Sequence, residues 1–261
     1  MRKVKLIIAA VAVFGLVSVS STTAFADGFA PGEGLYVGAY FGHTAGHMSA
    51  KVVSTDYNFP TTTTRSTNTH ELTEGGIGLA GVEGGGYIGY GYKMGDFYIG
   101  FEGGVASGGA KFEATSTDLI EIGDPVLAGC TNCYTLQKIS AEAQYTANVG
   151  GRLGVYLNAD SLLTVSGGVA ASEFDVTWAN FSETYYAGGP RVSVAIESRI
   201  SAIDPNLSFR VETHFTDYWK ASVNSIGTQN GTYLNDTEVS GQAYGGRFGI
   251  QYSFFDVNSL F

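Results

Sequence analysis

The chain has 261 residues and a formal net charge of −10, so nucleic acid is an unsuitable partner because it would require a basic face. Only 15% of the residues are charged, against roughly 25% in soluble domains, while Gly occurs 37 times. A chain this poor in charge would be insoluble as an ordinary globular domain. The composition therefore favours a protein whose apolar surface contacts lipid.

The first segment has the features of a secretory signal peptide. Three basic residues among the first five precede an apolar run at 6–17, which is shorter than the roughly 18 residues of a spanning helix. Residues 24–26 (Ala-Phe-Ala) form a small-x-small cleavage site. We expect residues 1–26 to be removed on export, which would take the net charge to −13, and residues 27–261 to form one domain.

Apolar and polar residues then alternate in eight successive stretches, and strict alternation predicts β-strands. The predicted strands lie at 34–48, 76–93, 97–113, 137–157, 162–178, 190–202, 207–221 and 239–255. Short turns at 94–96, 158–161 and 203–206 alternate with long polar loops at 49–75, 114–136, 179–189 and 222–238. This arrangement is typical of outer-membrane barrels. We predict an all-β fold, a transmembrane antiparallel up-and-down β-barrel of eight strands.

The two faces of these strands differ in size and polarity. Along the third strand Phe97, Ile99 and Phe101 alternate with Tyr98, Glu102 and glycines. A soluble barrel would carry dense Lys and Glu outside. Small residues with a few charges instead fit the narrow interior of an eight-stranded barrel. We therefore expect the bulky apolar face to contact lipid, with Tyr and Trp near the headgroups.

The polar face carries ionisable residues that we expect inside the barrel. Buried charges require partners, so we predict an ion-pair network that fills the lumen and fixes the strand register. The alternative is a narrow porin-like channel for small solutes with these residues at its constriction, although a barrel of eight strands rarely leaves an aqueous channel. The residues of this lumen network are Glu83, Glu102, Arg152, Glu197, Arg199, Arg210, Glu212, His214 and Arg247.

A third interpretation is a lipid-modifying outer-membrane enzyme. A hydrolase of this kind needs a Ser, a His and a carboxylate within reach of one another. His214 and Glu212 share a face, but the position two residues beyond His214 is Thr, and the alternation turns His214 away from the bilayer. His43, His47 and His70 could bind a metal weakly, but their spacing is loose. We expect no catalytic residue, no metal site and no cofactor.

Four motifs follow one another along the chain: GYIGY at 86–90, GRLGVY at 151–156 followed by VSGGVA at 165–170, RVE with TDY at 210–212 and 216–218, and GRFGI at 246–250. Together they resemble the opacity-protein-like family of outer-membrane β-barrels, a relative of the outer-membrane protein A transmembrane domain. The resemblance covers residues 34–255. It implies the outer membrane of a Gram-negative bacterium, an eight-stranded barrel and variable surface loops, but no single biochemical activity.

One feature departs from that family. Its chains usually stop at an aromatic residue that ends the last strand, as Phe254 or Phe255 would here, whereas this sequence continues through 256–261. Two alternatives remain open. The assembly machinery accepts an internal signal, or a bulge at Phe254-Phe255 resets the alternation so that Phe261 ends the strand.

The cysteines and the loops complete the functional prediction. Cys130 and Cys133 lie close together in a chain expected in an oxidising compartment, so we predict a local disulfide. Long loops on a rigid scaffold favour a structural or adhesin-like, surface-interacting role. The expected partners are outer-membrane lipid and lipopolysaccharide, the barrel assembly machinery, and a host or matrix surface ligand. We expect a monomer that binds no nucleic acid.

Overall fold

The strands pair into one sheet that closes on itself. The computed structural model describes residues 28–57, 65–108, 110–115, 138–178, 181–223, 228–229 and 232–255. Its strands are β1 (Gly34–Tyr57), β2 (Arg65–Met94), β3 (Phe97–Ser107), β4 (Lys111–Thr115), β5 (Lys138–Asn158), β6 (Ser161–Trp178), β7 (Phe181–Arg199), β8 (Leu207–Val223), β9 (Thr228–Gln229) and β10 (Thr232–Phe255). The predicted leader at 1–26, Cys130, Cys133 and the tail at 256–261 lie outside the described residues.

Strand pairing closes the barrel between the first and last strands. β1 pairs with both β2 and β10, and the ring runs β1, β10, β8, β7, β6, β5, β3, β2, with every pairing antiparallel. β4 continues β3 after a short break and pairs with β5, while β9 pairs with β10. The predicted eight-stranded antiparallel barrel is confirmed. Closure satisfies the backbone of every strand in the ring, which a lipid environment demands.

The short connections lie at one end of the barrel. The turn between β2 and β3 contains Gly95 with φ 64°, a left-handed conformation that favours glycine. The turn between β5 and β6 lies at 159–160, as predicted. The third turn differs from the prediction of 203–206, because β7 ends at Arg199. Hydrogen bonds from the amides of Ile203 and Asp204 to the carbonyl of Ile200 close a wider turn at this position.

At the opposite end the strands extend farther than the alternation predicted, so the limits of the loops predicted at 49–75, 179–189 and 222–238 were wrong. β1 continues to Tyr57, and β6 and β7 together leave only 179–180 between them. Apolar alternation marks only the part of a strand that contacts lipid. Beyond that band the hairpins still pair their backbones, and their Val, Thr and Tyr residues favour extended structure.

The outer surface is apolar and the inner surface is polar, as predicted. Phe41, Phe97 and Leu153 point outward and are 64–65% exposed, whereas Arg152 and Glu197 point inward and are 1% and 0% exposed. This is the side-chain arrangement of a transmembrane β-barrel. In the part of the chain that the structure describes, no helix is long and apolar enough to cross a bilayer.

The expected position of the aromatic residues needs a correction. Trp219 and Tyr186 are exposed on the outer surface, in agreement with a headgroup position. Other tyrosines instead point into the lumen, where glycines of the neighbouring strands leave room for their rings. These inward tyrosines are Tyr36, Tyr40, Tyr87, Tyr98 and Tyr156.

Candidate functional site in the barrel lumen

Glycines of one strand make room for tyrosines of the next inside the barrel. A Cβ at Gly38 would lie 2.2 Å from Cζ of Tyr87, and a Cβ at Gly89 would lie 2.3 Å from the hydroxyl of Tyr36. No side chain larger than hydrogen fits at either position without moving the ring. The glycine-rich inner wall is therefore filled by aromatic rings, and it does not widen a pore.

Arg152 of β5 is the centre of the lower part of the network. Its Nη1 donates hydrogen bonds to the hydroxyl of Tyr36 at 2.6 Å and to Oε2 of Glu102 at 3.2 Å. Its Nη2 donates to Thr164 Oγ1 at 3.2 Å and to Glu197. Glu197 in turn accepts a hydrogen bond from Gln251 Nε2 at 2.9 Å. This guanidinium thereby ties together strands from opposite sides of the lumen.

Arg210 of β8 connects this layer to the one above it. Its Nη1 donates to Oε2 of Glu102 at 2.5 Å, its Nη2 donates to Glu212, and its guanidinium lies 4.8 Å from the ring centre of Tyr87. The charge is thus balanced by carboxylates at two heights in the barrel. It is also stacked on an aromatic ring, which lowers the cost of burying a guanidinium.

Arg247 of β10 forms the upper layer with Glu83. Its Nε donates to Oε1 of Glu83 at 2.6 Å, and its Nη1 lies 3.9 Å from Oε1 of Glu212. The same carboxylate oxygen lies 3.7 Å from Nη2 of Arg191. Each barrel strand contributes a side chain to the complete network: Tyr36, Glu83, Glu102, Arg152, Thr164, Glu197, Arg210 and Arg247.

The N-terminal segment closes the lumen at the short-turn end. Residues 28–33 fold into the barrel mouth, where Ala30 packs with Tyr98, Tyr156 and Leu162. The hydroxyl of Tyr156 donates to the carbonyl of Pro31 at 3.0 Å. The amide of Phe29 donates to Oδ1 of Asn206 at 3.1 Å. We call residues 28–33 the stopper.

Above the network the lumen opens toward the long hairpins into a cavity that we call the vestibule. One wall is aromatic: the rings of Phe174 and Tyr185 stack with centres 5.2 Å apart, and Tyr218 meets Phe174 edge-on at 5.5 Å. Small residues of β1 and β10 form the facing wall, and the floor is ionic. The floor residues are Thr44, Glu83, Arg191, His214 and Thr216.

The structure brings eight of the nine predicted lumen residues into this interior, where they are buried or nearly buried. The ninth, Arg199, is 11% exposed and lies at the end of β7. Its Nε lies 3.1 Å from Oδ1 of Asp160, and its Nη2 donates to the carbonyl of Ala159 at 3.2 Å, both at the short-turn end. The ninth residue thus anchors a turn, because β7 ends there.

Sequence reasoning missed Arg191, which is 7% exposed and points into the lumen. The signal was present: Arg191 has the same parity as Glu197 on β7, and alternating residues of a strand share a face. In the prediction Arg191 is the second residue of the strand at 190–202, next to the predicted loop at 179–189. In the structure β7 begins at Phe181.

The described residues offer no hydrogen-bonded Ser-His-carboxylate relay. Ser193 lies opposite His214 in the β7–β8 register, but its hydroxyl is 2.6 Å from that of Ser166, and Glu212 is held by Arg210. Among these residues there is also no group of three His, Cys, Asp or Glu side chains that could hold a metal ion. His43 and His47, considered above as loose metal ligands, are both exposed.

No protein-family model and no curated relative matches the chain. Similar solved structures include Ail, the attachment invasion locus protein of Yersinia pestis, with 12% identity and a TM-score of 0.33 over 83% of this chain and 99% of that chain. Neisserial surface protein A has 10% identity and a TM-score of 0.36, over 85% of this chain and 98% of that chain. The outer membrane protein AlkL has 11% identity and a TM-score of 0.35, over 91% of this chain and 97% of that chain. At these values they add nothing to what the strand pairing of this chain already shows.

Proposed function

We propose that the protein is an outer-membrane barrel of a Gram-negative bacterium, exported with a cleaved leader, whose role is structural or surface-interacting. The observation that carries this proposal is the blocked lumen. The stopper covers the short-turn mouth, and the ion-pair network crosses the barrel above it. Such a barrel acts through the surface that it holds in place, and not through what passes along its axis.

The long-hairpin end supplies that surface. Short turns face the periplasm in outer-membrane barrels, so the hairpins face outward. Residues 51–57 of β1 pair with β2 on one side and with β10 on the other, which forms a three-stranded sheet beyond the barrel. A sheet held by a rigid barrel is a suitable platform for a host or matrix ligand. We name this three-stranded extension the outer sheet.

Lipopolysaccharide is the second partner that we propose. The acidic side chains Glu173 and Asp175 lie on β6 near its outer end and accept hydrogen bonds from Tyr186 and Thr184. The chain as a whole is acidic, with a net charge of −10. Divalent cations would therefore bridge these carboxylates to the phosphates of lipopolysaccharide. Removal of the cations by a chelator is expected to weaken the association.

A binding assay with two hairpin variants tests the role of the outer sheet. In the first variant residues 52–70 are replaced by Asn-Gly, a pair suited to a two-residue hairpin turn. In the matched control the β6–β7 hairpin is shortened in the same way. Heat-dependent gel mobility checks that both barrels fold. Loss of adherence to host cells or matrix in the first variant alone supports the proposal, and equal adherence of both variants and the wild type contradicts it.

A further inference from the structure

Three buried polar atoms on the vestibule floor have no hydrogen-bond partner among the residues that the structure describes. They are Nη2 of Arg191, Oγ1 of Thr44 and Nδ1 of His214. Their residues come from three different strands and line the same cavity. Buried polar atoms of native proteins are nearly always paired, so a cluster of unpaired ones points to a ligand or to bound water.

Arg191 is the lumen cation whose charge is least well balanced. Within the described part of the chain its one ion-pair contact is the 3.7 Å approach to Glu212, which already accepts a hydrogen bond from Arg210. Glu83, the other carboxylate on the floor, is held by Nε of Arg247 at 2.6 Å. The neighbouring carboxylates are thus committed to other guanidinium groups. An added anion would gain a charge-assisted hydrogen bond from Arg191.

The side chains of Thr44 and His214 come close together on the vestibule floor. A Cβ at Gly245 would lie 2.6 Å from Cε1 of His214 and 2.8 Å from Oγ1 of Thr44, so these side chains meet over the glycine. The vestibule has about 50 Å³ of room for water and opens toward the hairpins. A cavity that holds one water molecule needs roughly 10–15 Å³ of such room. The space therefore accommodates a group of several oxygen atoms.

We propose that the vestibule binds a small anion through carboxylate or phosphate oxygens. Arg191 supplies the charge and Thr44 donates a hydrogen bond. His214 donates from Nδ1 in the corresponding tautomer. The aromatic wall of Phe174, Tyr185 and Tyr218 stands directly above and accommodates an apolar body attached to the anion. This site is independent of the outer sheet, and its presence does not depend on adhesion.

Calorimetry on the refolded full barrel in a neutral detergent tests the proposal with inorganic phosphate, acetate and glycerol phosphate at millimolar concentration. Arg191→Gln is expected to weaken binding at least about tenfold, since a hydrogen bond to a charged group is lost. The matched control is Arg199→Gln, which removes the same charge from the same strand at the short-turn end. Its affinity should equal that of the wild type.

The outcomes separate the proposal from its alternatives. Preference for glycerol phosphate indicates a lipid headgroup, preference for phosphate a free ion, and preference for acetate a carboxylate. No heat of binding with any of the three, or equal binding by Arg191→Gln and the wild type, overturns the proposal. If Arg191→Gln does not fold, Thr44→Val removes a donor without changing the charge. Binding by Thr44→Val that is unchanged from the wild type then also overturns it.

Discussion

Arg152 and Glu197 form an ion pair in which the two side chains are 1% and 0% exposed. They lie on β5 and β7, so β6 separates their strands in the sheet and the contact crosses the inside of the barrel. Thr164 of β6 donates its hydroxyl to the carbonyl of Ala195 and accepts from Nη2 of Arg152, which fills the space between them. The pair therefore fixes how the wall curves as well as how charges are balanced.

Removing one member of this pair is expected to destabilise the barrel strongly. Glu197→Gln leaves Arg152 buried without its main counter-charge, and one-sided loss of a buried ion pair costs about 3–5 kcal/mol. Glu173→Gln is the matched control, because that carboxylate contacts Tyr186 on the exposed surface and should cost less than about 0.5 kcal/mol. Denaturant unfolding in lipid vesicles measures both. Equal midpoints for the two variants would contradict the prediction.

The tyrosine-filled inner wall predicts a size limit at particular glycines. Gly89→Ala places a methyl group 2.3 Å from the hydroxyl of Tyr36, which must then leave the hydrogen bond that it accepts from Arg152. We expect a loss of about 1–3 kcal/mol, as for other overpacked cores. Gly167→Ala is the control, since a Cβ there meets nothing within 4 Å. Similar unfolding midpoints for both variants would show that the ring adjusts freely.

The sequence predicts which residues enter the lumen but not how they pair. Alternation assigns Glu102, Arg152 and Arg210 to the inner face, because it depends only on local geometry. Their partnership depends on the stagger of strands that do not touch, as for β3 and β8, whose residues Glu102 and Arg210 meet across the lumen at 2.5 Å. Stagger is a property of the closed ring and leaves no local pattern in the sequence.

The position of the stopper also depends on contacts between distant parts of the chain. Residues 28–33 have no periodicity, and Gly28 and Gly32 adopt φ values of 64° and 75°. A Cβ at Gly28 would lie 2.6 Å from Cβ of Pro205, so the path of the segment is determined by its contact with a distant turn. No strand or helix pattern encodes such a contact. The sequence therefore does not predict that this segment closes the lumen.

The position of Trp219 predicts how the barrel sits in a bilayer. Its indole is 61% exposed on the outer face of β8, near the long-hairpin end, which suits the headgroup region. In a Trp178→Phe background its fluorescence should be quenched more by lipids brominated near the headgroup than by lipids brominated at the chain end. Tyr218→Trp in a tryptophan-free background is the control, because that side chain lines the vestibule. If the brominated lipids quench Trp219 and a tryptophan at position 218 equally, the outward orientation of Trp219 is contradicted.

The predicted disulfide between Cys130 and Cys133 has a direct chemical test. Both thiols should resist maleimide in the exported protein and react after reduction, since an oxidising compartment favours the bond. Cys133→Ser is the control, because it leaves Cys130 as a single reactive thiol. Labelling of both cysteines in the wild type before reduction would show that they remain thiols.

Barriers in series predict the conductance of the barrel. The stopper and the Arg152 layer each block the lumen, so deleting residues 28–32 alone or introducing Arg152→Ala alone should leave a planar bilayer silent. The combined variant should stay silent as well, because the Arg210 and Arg247 layers still cross the lumen above Arg152. Heat-dependent gel mobility establishes that each variant is folded before it is measured. Openings in the wild type would contradict the blocked lumen and support the channel alternative, and openings with the stopper deleted alone would show that the ion pairs do not exclude solvent.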